Sequence, residues 1–116
     1  MNEVSSSKAR RQFTLKEARQ ILPVVRKITA EAVKSVEQVE EDVNVGGLPA
    51  PEGNRTAQGI IKEWSEKIQE LGCEVKGLWL VDFDSGAGYF CWQFDESEIE
   101  YFHTYEAGFG GRTPIH

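Results

Sequence analysis

From Leu15 to Val43 the apolar residues Leu15, Ala18, Ile21, Leu22, Val25, Ile28, Ala32, Val36, Val39 and Val43 recur at three- and four-residue steps. That spacing places them on one face of a long amphipathic helix. Thr14-Leu15-Lys16-Glu17 reads as its capping box, with Phe13 and Ala18 at the staple positions. Pro23 removes one backbone donor and predicts a kink near the second turn. Gly46 to Asn54 reads as a mobile connection rich in glycine and proline. After it Ile60, Ile61, Trp64, Ile68 and Leu71 restore the helical period from about Ala57 to Leu71, and Gly72 is the natural stop. At the standard rise the first helix spans ~43 Å and the second only ~22 Å. Folded back antiparallel, the second reaches about as far as Ile28. Leu15, Ile21, Leu22 and Val25 then require another cover, either the C-terminal part of the chain or a second subunit.

That C-terminal part holds ten of the twelve Phe, Trp and Tyr residues between Trp79 and Phe109, seven acids, and no Lys or Arg between Lys76 and Arg112. Leu78 to Asp84 and Tyr89 to Phe94 are rich in β-formers and flank Ser85-Gly86-Ala87-Gly88, which predicts a hairpin. A third strand over Ile99 to His103 puts Ile99, Tyr101 and His103 on one face and Phe102 on the other. The fold expected is α+β: a long kinked helix and a shorter antiparallel helix packed with a small antiparallel β-sheet. Residues 1–12 read as a polar, disordered tail. Residues 13–116 read as one domain, with a helical hairpin over 14–72 and a β-rich, acidic, aromatic part over 77–116.

Charge narrows the partners. Residues 1–34 hold eight Lys/Arg against three Asp/Glu, and residues 35–116 hold five against sixteen. An acidic aromatic segment repels a phosphate backbone, so nucleic-acid binding is not expected. The apolar runs are too short for a membrane span, and no membrane partner is expected. Cys73 and Cys91, without an apolar leader, suit a reduced cytoplasmic protein with free thiols.

Phe13-Thr14-Leu15-Lys16-Glu17-Ala18, Val81-Asp82-Phe83, Cys91-Trp92 and the stretch from His103 through Pro114 together resemble an uncharacterised bacterial family, domain of unknown function 2203. The resemblance covers nearly everything after residue 12. Its most specific part is the tail Glu106-Ala107-Gly108-Phe109-Gly110-Gly111-Arg112-Thr113-Pro114. It implies a shared fold and a shared site, and brings no activity with it.

Two classes of function fit these residues. In the first, the protein is a small binding or interaction module that self-associates as a dimer, using the surplus face of the first helix. In the second, it is a small enzyme or metal-dependent protein with a site built from Asp82, Cys91, His103, Glu106 and Arg112. Asp82, His103 and Glu106, with Cys91, offer oxygen, nitrogen and sulfur ligands suited to zinc or a comparable divalent ion, although no ligand-spacing motif is present. Cys91 as nucleophile and His103 as base, oriented by Asp82 or Glu106, is a catalytic alternative; the competing reading is a thiol packed as a small hydrophobe. Gly108, Gly110, Gly111 and Arg112 form a turn at which an anionic small molecule could dock, or Arg112 pairs internally with Glu106, Glu98 or Asp82. Trp79, Trp92, Tyr101, Phe102 and Tyr105 are either pocket lining or core. Geometry separates the two classes, since only the second needs the polar residues to converge.

Overall fold

In a computed structural model of the chain, which describes residues 11–115, the capping box forms as the sequence requires. The Glu17 amide donates to Thr14 Oγ1 at 3.1 Å and the Thr14 amide to Glu17 Oε1 at 2.9 Å. Helix α1 runs from Leu15 to Asn44 and passes through Pro23 without a break. The tail of residues 1–10 lies outside the described residues. Arg11, which the sequence places in that tail, already contacts the fold, its guanidinium lying 4.2 Å from the centre of the Phe13 ring.

Helix α2 spans Ala50–Glu70, so it begins seven residues before the Ala57 expected from periodicity. Proline costs nothing in the first helical turn, where the amide has no intrahelical acceptor, so Pro51 sits there as an initiator. Gly53 serves the helix pair, since a Cβ there would collide with Val43 Cγ2 of α1. What reads in sequence as a connection from Gly46 to Asn54 therefore shortens to Val45–Pro49. Near the other end of the pair, the buried Trp64 indole donates to Thr29 Oγ1 at 2.8 Å, bonding α2 to the middle of α1.

Five strands follow in chain order and form an antiparallel meander: β1 (Glu74–Gly77), β2 (Leu80–Asp84), β3 (Tyr89–Gln93), β4 (Tyr101–His103) and β5 (Thr113–Pro114). The β2–β3 hairpin forms where expected, and β4 covers the last three residues of the strand expected over Ile99 to His103. Strands β1 and β5 are too short to carry a readable alternation. Leu78 and Trp79, expected in a strand, instead turn the chain between β1 and β2, with Trp79 at a φ of 59°. This strained backbone is held by the Trp79 ring against Trp64 at 4.8 Å and by the Phe94 amide, which donates to the Trp79 carbonyl at 3.0 Å. Gly88 opens β3 where a side chain would strike the Phe102 ring and the His103 carbonyl.

Register decides what each sheet face carries. Val81 lies opposite Trp92, and with Phe83 these side chains join Leu22, Val25, Ala18 and Ile68 in the core between sheet and helices. Each such large apolar side chain contributes about 1.5–3 kcal/mol when fully buried. The early face of α1 is thus covered by the chain's own sheet. Two α1 arginines seal the seam, Arg19 donating to the Ile99 carbonyl at 3.2 Å and Arg26 to the Ser97 carbonyl at 3.3 Å. Ile99 precedes β4 and turns into this core, so it does not share the face of Tyr101 and His103 that strict alternation predicts. No helix among the described residues is long and apolar enough to cross a membrane.

Cys73, at the junction of α2 and β1, is buried, and burial pushes its thiol from 9.0 up to about 12 against the pull of Arg11. A proton held more tightly in the native than in the unfolded chain makes stability fall as pH rises through that interval. The fall approaches about 1.4 kcal/mol per pH unit for one thiol. Urea unfolding across this alkaline range should give a shallower decline for Cys73→Ala than for the wild type. Parallel declines would show that this thiol is not held protonated.

Candidate metal centre

The sheet face turned away from the helices is polar. Asp82 on β2 lies directly opposite Cys91 on β3, and His103 on β4 lies opposite Tyr89, two residues from Cys91 on the same face. Alternation along these strands therefore aims a carboxylate, a thiol and an imidazole from three neighbouring strands at one point. Their ligand atoms lie within 4.8 Å of one another. Exposure is 1 % for Asp82, 0 % for Cys91 and 4 % for His103, so all three are removed from water.

The tail provides the cover. After β4 the Tyr105 ring packs edge-on against Tyr89 at 5.0 Å, and its hydroxyl donates to Asp84 Oδ1 at 2.7 Å. A single 3₁₀ turn, Phe109–Gly111, then delivers Arg112. The Arg112 guanidinium lies 4.0 Å from the centre of the Tyr101 ring and 4.3 Å from that of Phe109. Its Nη2 donates to Glu96 Oε2 at 2.6 Å, and its Nη1 approaches Cys91 Sγ at 3.9 Å. At the opposite edge, Tyr89 donates to Glu74 Oε1 at 3.0 Å and Lys76 pairs with the same oxygen at 3.0 Å.

Hydrogen bonding fixes the imidazole. His103 Nδ1 lies 2.8 Å from the Thr104 carbonyl, which can only accept, so Nδ1 carries a proton and donates it. Nε2 faces Asp82 Oδ2 at 2.9 Å, and one proton lies between them. The remaining oxygen, Asp82 Oδ1, is buried without a hydrogen bond of ordinary geometry, although the Cys91 thiol interacts with the carboxyl group. Burial raises the Asp82 carboxyl above the usual aspartate range, with the His103 charge and then the Cys91 and His103 hydrogen bonds pulling the other way. Burial, the Asp82 charge and the Asp82 hydrogen bond push the Cys91 thiol up to about 12, with Arg112 opposing.

These contacts sort the residues expected from sequence. Asp82, Cys91, His103 and Arg112 converge. Glu106 does not: it sits exposed in the turn before Gly108 and is not part of the cluster. Arg112 pairs with Glu96 in place of Glu106, Glu98 or Asp82, because the tail returns as β5 along the outer edge of β4 and the Arg112 side chain reaches from there over Tyr101 and Cys91. An anion at Gly108, Gly110 and Gly111 would have to displace Glu96 from that guanidinium. Trp92 points to the helix side, its indole donating to the Glu96 carbonyl at 2.7 Å, so it lies across the sheet from Arg112. His103 turns its two ring nitrogens to the Thr104 carbonyl and to Asp82, and burial raises the Cys91 thiol, an arrangement unlike a thiol hydrogen-bonded to its base. Sequence reasoning missed Glu74, Tyr89, Glu96 and the Thr104 carbonyl. The alternation of β3 marks Tyr89 as facing Cys91's side, but nothing in sequence signals the others.

Removing the imidazole strands the Asp82 carboxyl in a buried site. His103→Ala should cost about 3–5 kcal/mol in urea unfolding with chelator present, and replacing Asp82 and His103 together by leucine should recover most of it. A loss below about 1 kcal/mol for His103→Ala would show that the pair is not energetically coupled.

Comparison with curated proteins and with solved structures gives no match. The model of one family, described as "Uncharacterized conserved protein (DUF2203)", matches residues 11–115, which includes both helices and all five strands. The chain belongs to the DUF2203 family.

Proposed function

We propose that the protein binds a divalent metal ion of the zinc class through Asp82, Cys91 and His103. The observation that carries this reading is the convergence of one oxygen, one sulfur and one nitrogen ligand, buried and within 4.8 Å, from three adjacent strands. Thiolate and imidazole select zinc and its neighbours over magnesium or calcium, which take oxygen ligands. Charge agrees, because a carboxylate and a thiolate neutralise a dication and leave no net charge in a buried site. The fit needs movement in both directions, since ligand atoms spread over as much as 4.8 Å must draw together while the shortest pair opens. Zinc bonds of about 2.0–2.3 Å set tetrahedral ligand atoms about 3.3–3.7 Å apart. The 2.9 Å between His103 Nε2 and Asp82 Oδ2 opens slightly when an ion replaces the shared proton. His103 is oriented for the task, since a metal-binding imidazole ordinarily donates its other N–H to a carbonyl or carboxylate. Asp82 Oδ1, buried without a regular hydrogen bond, gains a role in such a site.

Three protein ligands leave a fourth position for water or a small molecule, the pattern of sites that do chemistry or exchange ligands. A thiolate ligand persists in a reducing compartment, which fits a cytoplasmic protein. Self-association has less support. It requires an uncovered stretch of the first helix, and the apolar face of β2 and β3 lies over that stretch of α1.

Protein purified without an affinity tag and refolded with zinc should retain one ion per chain after dialysis. Free zinc at a hundredfold above the dissociation constant should raise stability by about 2.7 kcal/mol. Cys91→Ala and Asp82→Asn should abolish retention, while Glu106→Ala should leave it intact. Wild-type protein that folds and holds no zinc would overturn the reading.

A further inference from the structure

We infer that Arg112 is a positioning residue for the Cys91 sulfur as a metal ligand, an inference that rests on the metal reading above. An ion pair alone does not account for its placement. Nη2 satisfies Glu96 at 2.6 Å, yet the guanidinium is turned so that Nη1 reaches Cys91 Sγ at 3.9 Å, the long end of an N–H···S hydrogen bond. Three contacts hold that orientation. Glu96 fixes one end of the fork, and the Tyr101 and Phe109 rings stack on the guanidinium at 4.0 and 4.3 Å. The side chain is largely out of water, at 16 % exposure, which strengthens a charge-assisted hydrogen bond.

Chemically, the sulfur of a bound thiolate keeps lone pairs after it binds the ion. A guanidinium N–H directed at that sulfur draws electron density from it and holds its direction; the Thr104 carbonyl likewise holds the direction of the His103 ring, although as an acceptor it adds density. Outer partners of this kind are each worth about 10–100-fold in metal affinity. The tail from Gly108 to Arg112 acquires a purpose: its glycine turn exists to bring one guanidinium onto the sulfur side of the cluster, and Glu96 exists to keep it there.

Cobalt(II) reports directly on the sulfur, through the near-ultraviolet sulfur-to-metal charge-transfer band of the cobalt-loaded full chain. Loss of the N–H···S bond raises the energy of the sulfur lone pair, so Arg112→Gln should move that band to longer wavelength and weaken cobalt binding about tenfold or more. Arg112→Lys should give the same displacement, because an ammonium cannot hold Glu96 and the sulfur together. Glu96→Gln keeps the arginine but loosens it, and should move the band in the same direction by less. It also serves as the deciding variant if Arg112→Gln does not fold. Wild-type protein that binds cobalt, with variants whose band does not move, would overturn the inference even if their affinity fell, since that outcome describes a structural ion pair. Wild-type protein that takes up no cobalt would overturn the metal reading itself, and this inference with it.

Discussion

The packing of the apolar sheet face onto the first half of α1 is the contact on which the other features depend. Helix α2 covers only part of α1, and Trp64 reaching Thr29 marks the turn of α1 beside it. Beyond it, Ala18, Leu22 and Val25 need an apolar partner, and Val81, Phe83 and Trp92 are that partner. Without the sheet the early helix would stand amphipathic and half bare. Without the helix, a five-stranded meander of such short strands would have no core.

Committing one face of β2 and β3 to the helices determines the other. The period of two leaves Asp82, Asp84, Tyr89 and Cys91 on the far side, and pairing with β4 adds Tyr101 and His103. That face is not left to water, because the tail folds across it with Tyr105, Phe109 and Arg112. Burying ionisable groups rarely stabilises a fold, and hydrophobic substitutes of similar volume do as well or better. A carboxyl held above its usual range beside a thiol pushed up to about 12 is an arrangement that packing alone would not favour. A bound cation, as proposed, would add the positive charge that His103 and Arg112 supply only in part.

Much of this was legible in the chain before its fold. The apolar stripe of α1, the capping box and the Ser85–Gly88 turn each rest on short-range chemistry, and each appears where expected. The start of α2 was not legible, because Pro51 and Gly53 look like helix breakers until one knows that one occupies the first turn and the other faces Val43. Cys91 and His103 could be named by type, since the segment holds one thiol and one imidazole, whereas its seven carboxylates are alike in sequence. Which of them meet depends on register. One residue of slip would have sent Cys91 into the core and Trp92 to the tail. Glu106 lies in the tail turn, where no strand alternation fixes its direction, so only the ligand chemistry of its carboxylate groups it with the others. The partner of Arg112 depends on the tail returning as β5 beside β4, which is a long-range property.

X-ray absorption at the zinc edge on the zinc-loaded protein tests the account most directly, because it counts and identifies the atoms around the ion. The account predicts a four-coordinate shell with one sulfur at about 2.3 Å and nitrogen or oxygen neighbours at about 2.0 Å. A shell of oxygen and nitrogen alone, without sulfur, would contradict it.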